Sequence, residues 1–92
     1  MNKVTIRYCT GCKWLLRSAW MAQELLSTFE QEIDELTLKP GNSGIFEVWA
    51  NDQLVWSRAD DGGFPPIKVL KSRVRDVIAQ GRDLGHSDVN QG

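Results

Sequence analysis

Cys9 and Cys12 are the two cysteines of the chain, separated by two residues in the stretch Tyr8-Cys9-Thr10-Gly11-Cys12-Lys13-Trp14. Thiols at this spacing can close a small disulfide ring, and a glycine inside the ring lets the backbone bend tightly. The pair therefore permits reversible thiol–disulfide exchange. An alternating, strand-like pattern ends here and a helical one begins, so Cys12 is expected in the first turn of a helix. Unpaired N–H groups and the macrodipole favour a thiolate there, Lys13 and Arg17 add positive charge, and a lowered thiol pKa is the expected consequence. Two other uses of the spacing stay open: half of a zinc site, and a pair of small core residues without chemistry. Structural zinc takes four ligands, and the other soft candidate is His86, far along a polar stretch. A metal held within one chain is therefore not expected, although two chains could share one.

The elements that must position this pair follow from periodicity. Lys3 to Tyr8 alternates, with Val4, Ile6 and Tyr8 on one face and Lys3, Thr5 and Arg7 on the other, as in a strand covered on one side. From Lys13 the apolar residues Leu15, Ala19, Ala22, Leu26 and Phe29 recur at helical steps. Trp14, Trp20 and Met21 widen that surface as core or partly exposed packing residues. Glu35 to Lys39 alternates again, and Pro40-Gly41-Asn42-Ser43-Gly44 reads as a loop. With a helix between them, the first two strands should be parallel neighbours in a β-α-β unit. Ile45 to Ala50 and Gln53 to Ser57, joined by Asn51-Asp52, form a β-hairpin.

A loop from Ala59 to Pro66 leads into a last helix. Its apolar stripe is Ile67, Leu70, Val74, Val77 and Ile78, with Lys68, Lys71, Arg73 and Arg75 on a solvated face and Gly81 at its end. Residues 1–81 make one domain, and the polar, aperiodic residues 82–92 read as a flexible tail in which His86 is solvated.

Ninety-two residues suffice for one modest core. Eleven basic and twelve acidic side chains leave a formal charge of −1, with no basic excess for nucleic acid. Neither a signal-peptide pattern nor an apolar run long enough for a bilayer is present, so a cytoplasmic protein without membrane attachment is expected. In that reducing compartment a Cys pair is catalytic, redox-sensing or metal-binding more often than a permanent staple.

The order β-α-β-β-β-α with a Cys pair between the first strand and first helix resembles the core of the thioredoxin-like fold. More closely, the chain is similar to the selenoprotein W-related family, also called the Rdx family. Tyr8-Cys9-Thr10-Gly11-Cys12 matches the family's redox motif, Gly44-Ile45-Phe46-Glu47-Val48 its G-x-F-E-V strand and Gly63-Phe64-Pro65 its G-x-F-P turn. Animal members carry selenocysteine at the second motif position, so the chain reads as a cysteine-containing homologue. The resemblance implies an α/β, two-layer domain whose four-stranded mixed sheet has the first strand central and both helices on one face. The one-sided alternation of the strands leaves Ile45, Glu47 and Trp49 on the less covered side.

The resemblance also implies a glutathione- or thioredoxin-linked oxidoreductase or antioxidant, with Cys9 and Cys12 as the catalytic pair. In thioredoxins the first cysteine attacks, whereas the selenium position points to the second, so the order of attack is left open. Thioredoxins have a cis-proline before the third strand, and Ser43-Gly44 takes that place here. By analogy with glutaredoxins, Ser43, Gly44, Asp61, Gly62 and Gly63 are the candidate seat for glutathione as co-substrate. A plain turn explains the same residues equally well. No tightly bound cofactor is implied. The expected partners are thiol or disulfide proteins and the glutathione or thioredoxin system, and the expected state is a monomer, with a weak dimer as the alternative. The competing function is a redox-controlled interaction module without turnover, docking a partner through Trp49 or Phe64.

Overall fold

The computed structural model describes residues 1–85. His86 and most of the segment read as a tail lie outside them. The elements are β1 (Lys3–Cys9), α1 (Leu15–Thr28), β2 (Glu35–Gly41), β3 (Phe46–Ala50), β4 (Gln53–Ser57), α2 (Arg58–Asp61) and α3 (Ile67–Ile78). They form a four-stranded mixed sheet in the order β2-β1-β3-β4, with β1 parallel to β2 and antiparallel to β3. This is the expected architecture, apart from the short α2 inside what reads as a loop. Ser57 caps α2 by accepting the Asp60 N–H, and Asp61 returns a carboxylate oxygen to the Ser57 N–H at 2.9 Å. That reciprocal bonding is a variant of the capping box.

Alternation decides which face is covered. Val4, Ile6 and Tyr8 of β1 lie opposite Ala50, Val48 and Phe46 of β3, and all six are buried. Leu25 and Phe29, at and just after the end of α1, join them with Leu70 and Val74 of α3. Phe29, Phe46, Ile6, Leu25 and Leu70 are fully buried, each contributing roughly 1.5–3 kcal/mol of apolar transfer. The opposite face carries Thr5, Arg7, Lys39, Glu47 and Trp49, which with Asn51 and Asp52 line an open concavity of about 330 Å³. Trp49 is half-buried there, its indole N–H donating to Glu47 Oε1 at 3.1 Å.

Several details depart from the periodicity. α1 buries Ser18, Met21, Ala22 and Leu25, whereas Leu15 and Leu26, read as core, are exposed. The buried stripe is thus rotated by about one residue. α1 carries neighbouring apolar pairs at Leu15-Leu16, Trp20-Met21 and Leu25-Leu26, so pattern alone leaves its phase undetermined.

β2 runs two residues further than its alternation, pairing Pro40 with Tyr8 and Gly41 with Cys9. β2 is an edge strand, where a proline is tolerated. A bulge between β3 and β4 pairs Val48 with Trp56 but Trp49 with Leu54, so Val55 and Trp56 are both buried.

The basic residues of α3 are not one solvated face. Lys68 is exposed, but Lys71 is buried and donates to Glu24 of α1 at 3.0 Å. Arg73 donates to the Val55 carbonyl and Asp61 and stacks over Trp56, while Arg75 bonds Asp76. Their long aliphatic stems cover apolar surface while their heads find fixed acceptors. α3 ends at Ile78, earlier than Gly81, and beyond it Arg82 donates through Nη1 to both carboxylate oxygens of Glu32 while Leu84 lies against the core.

Candidate redox site

Cys9 is the last residue of the central strand, and it is 3% exposed. Cys12 is exposed in the turn that follows. Their Cα atoms are 5.3 Å apart and the two sulfurs are at disulfide distance. Cys12 does not lie in the first turn of α1. Lys13 takes a left-handed φ of 63°, its N–H closes a turn on the Thr10 carbonyl, and Trp14 follows as the residue capping a helix that starts at Leu15. A left-handed residue cannot continue a right-handed helix, so the ring is a separate turn ahead of the α1 N-terminus. The macrodipole therefore acts on Cys12 from outside the helix.

Within the ring, the Cys12 backbone N–H points at Cys9 Sγ, 3.3 Å away. Such a donor stabilises negative charge on that sulfur. The ring is tied to β2 through one acceptor, the Gly41 carbonyl, which receives the Thr10 N–H at 3.1 Å and the Thr10 hydroxyl at 3.2 Å. Gly41 has no room for a side chain: a Cβ would sit 2.8 Å from Ile45 Cγ2. The signal available in the sequence for this role is the glycine directly after Pro40, which the turn-rich composition of residues 40–44 masks.

Aromatic residues brace the α1 side of the ring. Phe64 lies edge-on to Trp14 and tilted against Phe46, with both centroid separations 4.9 Å. The Arg17 guanidinium sits 4.1 Å from the Phe64 centroid, and Arg58 is 5.0 Å from the Trp14 ring. Arg17 is therefore engaged with Phe64, while Lys13 stands beside Cys12 on an open groove. That groove, of about 320 Å³, is lined by Tyr8, Thr10, Lys13, Leu15 and Leu16.

The loop residues separate into two groups. Ser43, at φ 58°, and Gly44, at φ 76°, belong to the β2–β3 connection that starts from Gly41, so they are tied to the ring through that residue. Asp61, Gly62 and Gly63 belong to α2 and its cap. Asp61 accepts from the Ser57 N–H and from Arg73 at 3.1 Å. The Ser57 bond foremost, with Arg73 in support, holds its carboxyl below the usual value of 3.8. The Gly62 and Gly63 N–H groups donate to the Arg58 carbonyl, and the Gly63 carbonyl accepts from the Trp56 indole at 2.8 Å. Phe64 extends from this segment to Trp14, which links α2 to the redox turn. Among the described residues no cluster of three His, Cys, Asp or Glu side chains is placed to hold a metal ion. No helix among them is long and apolar enough to cross a membrane.

A model of the Rdx family matches residues 3–76. Migration and invasion enhancer 1 of Mus musculus is 32% identical over 74 residues, covering 78% of this chain and 61% of that protein. The Bos taurus protein of the same name is 31% identical over 75 residues, covering 79% and 62%. The chain thus spans about three-fifths of the length of these relatives. Among solved structures, the selenoprotein W-related protein from Vibrio cholerae superposes with a TM-score of 0.81 at 50% identity, covering 83% of this chain and 95% of that one. A protein from Bordetella parapertussis gives 0.80 at 56% identity, covering 82% and 95%. With its Cys9–Cys12 ring at the end of the central strand of a thioredoxin-like sheet, the chain belongs to the Rdx family, as a cysteine-containing member similar to selenoprotein W-related proteins.

Proposed function

We propose that this protein is a thiol–disulfide oxidoreductase of the cytoplasm, in which Cys12 exchanges with an external disulfide and Cys9 resolves the product. The observation that carries this reading is the unequal exposure of two sulfurs at bonding distance: Cys12 is open to solvent and Cys9 is not. In the reduced protein the Cys12 thiolate attacks a substrate disulfide, forming a mixed disulfide and releasing one substrate thiolate, which takes up a proton. The Cys9 thiol then loses its proton to solvent and its thiolate attacks Cys12 Sγ. The ring closes and the second substrate thiolate departs. Two electrons pass from the protein to the substrate. Glutathione or a thioredoxin-type dithiol restores the reduced pair, with the β2–β3 connection at Ser43 and Gly44 and the turn at Asp61, Gly62 and Gly63 as the surfaces to test for glutathione.

Replacing each cysteine by serine tests the assignment. Cys9→Ser should accumulate a stable mixed disulfide through Cys12, seen as added mass, whereas Cys12→Ser should react slowly. Both variants should lose saturable, glutathione- or thioredoxin-reductase-driven reduction of a model disulfide. If Cys12 reacts no faster than a free thiol in solution, the oxidoreductase reading fails. Partner capture that depends on oxidation state, without turnover, would replace it with a redox-controlled interaction module.

A further inference from the structure

Among the described residues, four of the six exposed large apolar side chains lie on α1: Leu15, Leu16, Trp20 and Leu26. Leu16 is 82% exposed and Trp20 48%. They are separated by one helical turn, about 6 Å, on the outer surface of α1. An exposed apolar strip of this kind on a small domain marks a contact surface. Its N-terminal end opens into the groove lined by Tyr8, Thr10, Lys13, Leu15 and Leu16, and Cys12 lies between two of those lining residues in the chain. Lys13 has no ion-pair partner among the described residues. Its left-handed backbone fixes the turn that places it there, a conformation unfavourable for a residue with a side chain.

We propose that this groove, extended along α1 by Trp20, seats a polypeptide segment whose redox-active cysteine is flanked by apolar residues and an acidic one. The proposal rests on the oxidoreductase reading above and names the substrate class. Apolar side chains of the segment cover Leu15, Leu16 and Trp20, a carboxylate meets Lys13, and the segment's disulfide is presented to Cys12. The bond changes are those already given: the segment's S–S bond breaks, a Cys12 mixed disulfide forms, and one segment thiolate leaves. Glutathione offers carboxylates but no apolar side chain to fill the groove or cover the strip, so it fits the site less well than a protein segment.

The test uses peptides whose single cysteine is linked to thionitrobenzoate, and follows release of the coloured thiol by the reduced full-length protein. One peptide flanks cysteine with leucine, phenylalanine and glutamate, a second replaces the apolar residues with serine, a third replaces glutamate with lysine, and a fourth substrate is the glutathione derivative. The apolar acidic peptide should react about tenfold faster than the serine peptide, the scale of discrimination that small apolar contacts provide. Leu16→Ser and Trp20→Ser should bring that ratio towards one, and Lys13→Gln should remove the preference for glutamate over lysine. Leu54→Ser, also exposed but on β4, should leave both ratios unchanged. The proposal is overturned if the ratios do not respond to the α1 substitutions, or if the glutathione derivative matches the apolar peptide. It is equally overturned if Leu16→Ser abolishes self-association or binding to anionic phospholipid vesicles while peptide selectivity stays as it was. Fast reaction without selectivity sinks this proposal alone, whereas reaction with every substrate no faster than a free thiol sinks the oxidoreductase reading with it.

Discussion

Replacing Gly41 by alanine should loosen the redox turn without touching either cysteine. Gly41 has no left-handed φ, so alanine suits its backbone, and the obstacle is space. The added Cβ would be 2.8 Å from Ile45 Cγ2, about 0.7 Å short of the ~3.5 Å at which carbon atoms rest against each other. Ile45 is half-buried beside Phe46 and does not swing away freely. If the end of β2 retreats instead, the Gly41 carbonyl leaves Thr10, whose bonds of 3.1 and 3.2 Å would both pass out of hydrogen-bonding range. Overpacking costs roughly 1–3 kcal/mol and a lost hydrogen bond about 0.5–1.5, less here because water reaches Thr10. Alanine returns roughly 0.4–1 kcal/mol by restricting the unfolded chain. The net loss should be about 1–2 kcal/mol.

A double-mutant cycle with Ile45→Ala isolates the cause, since removing Cγ2 removes the clash. Urea denaturation of the wild type, both single variants and the double variant should give a coupling energy of about 1 kcal/mol in favour of the pair. In the reduced state, Gly41→Ala should also change the alkylation rate of Cys12, and Ile45→Ala should restore it. If the two substitutions are additive within about 0.5 kcal/mol, the close approach of Gly41 to Ile45 does not hold the turn.

Ser18→Ala should stabilise the protein by about 1 kcal/mol in urea titrations, because the Ser18 hydroxyl is fully buried in α1 and has no hydrogen-bond partner among the described residues. Lys71→Met should be close to neutral, since methionine keeps the buried stem and leaves Glu24, 37% exposed at its side chain, to water. Glu24→Ala should cost more, about 1–2 kcal/mol, by stranding the buried Lys71 ammonium, a difference visible in thermal unfolding. Asp61→Asn should destabilise the protein at neutral pH. Because the folded carboxyl is held below its ordinary value of 3.8, its contribution is complete above that value and disappears as pH falls through the depressed one. Acid titrations of wild type and variant followed by circular dichroism should therefore differ near neutrality and converge at low pH.

How far the sequence carried the structure varied with the kind of signal. The strict alternation of Val4, Ile6 and Tyr8 and of Phe46, Val48 and Ala50 fixed both strands and their covered face, because a period of two has one solution when one face is buried. The Cys9–Cys12 spacing disclosed the ring, but not that Cys9 would be buried and Cys12 open, since that division depends on where the sheet ends and the helix begins. Lys13 set that boundary through a left-handed backbone, and lysine carries no propensity that announces one. On α1, adjacent leucines offered two equally apolar stripes, and packing against the sheet chose Leu25 over Leu26. The places of the basic residues of α3 are not legible in the sequence, because charge alone does not reveal a fixed acceptor. Lys71 and Arg73 found theirs in Glu24 and Asp61, which are distant in sequence.

Pro40 limits how a partner can approach the thiols. An exposed sheet edge is ordinarily open to β-augmentation, in which an incoming strand zips onto unpaired main-chain groups. β2 is such an edge, and Pro40 stands in its ladder level with Tyr8, one residue before the position level with Cys9. A proline has no N–H to donate, and one on an edge strand directs that deficit outward. A fifth strand laid along β2 would therefore lack a main-chain rung next to the redox ring. Recognition there must be written in side chains, and the strand that carries the ring's anchor at Gly41 is shielded from templating sheet growth between copies of the protein.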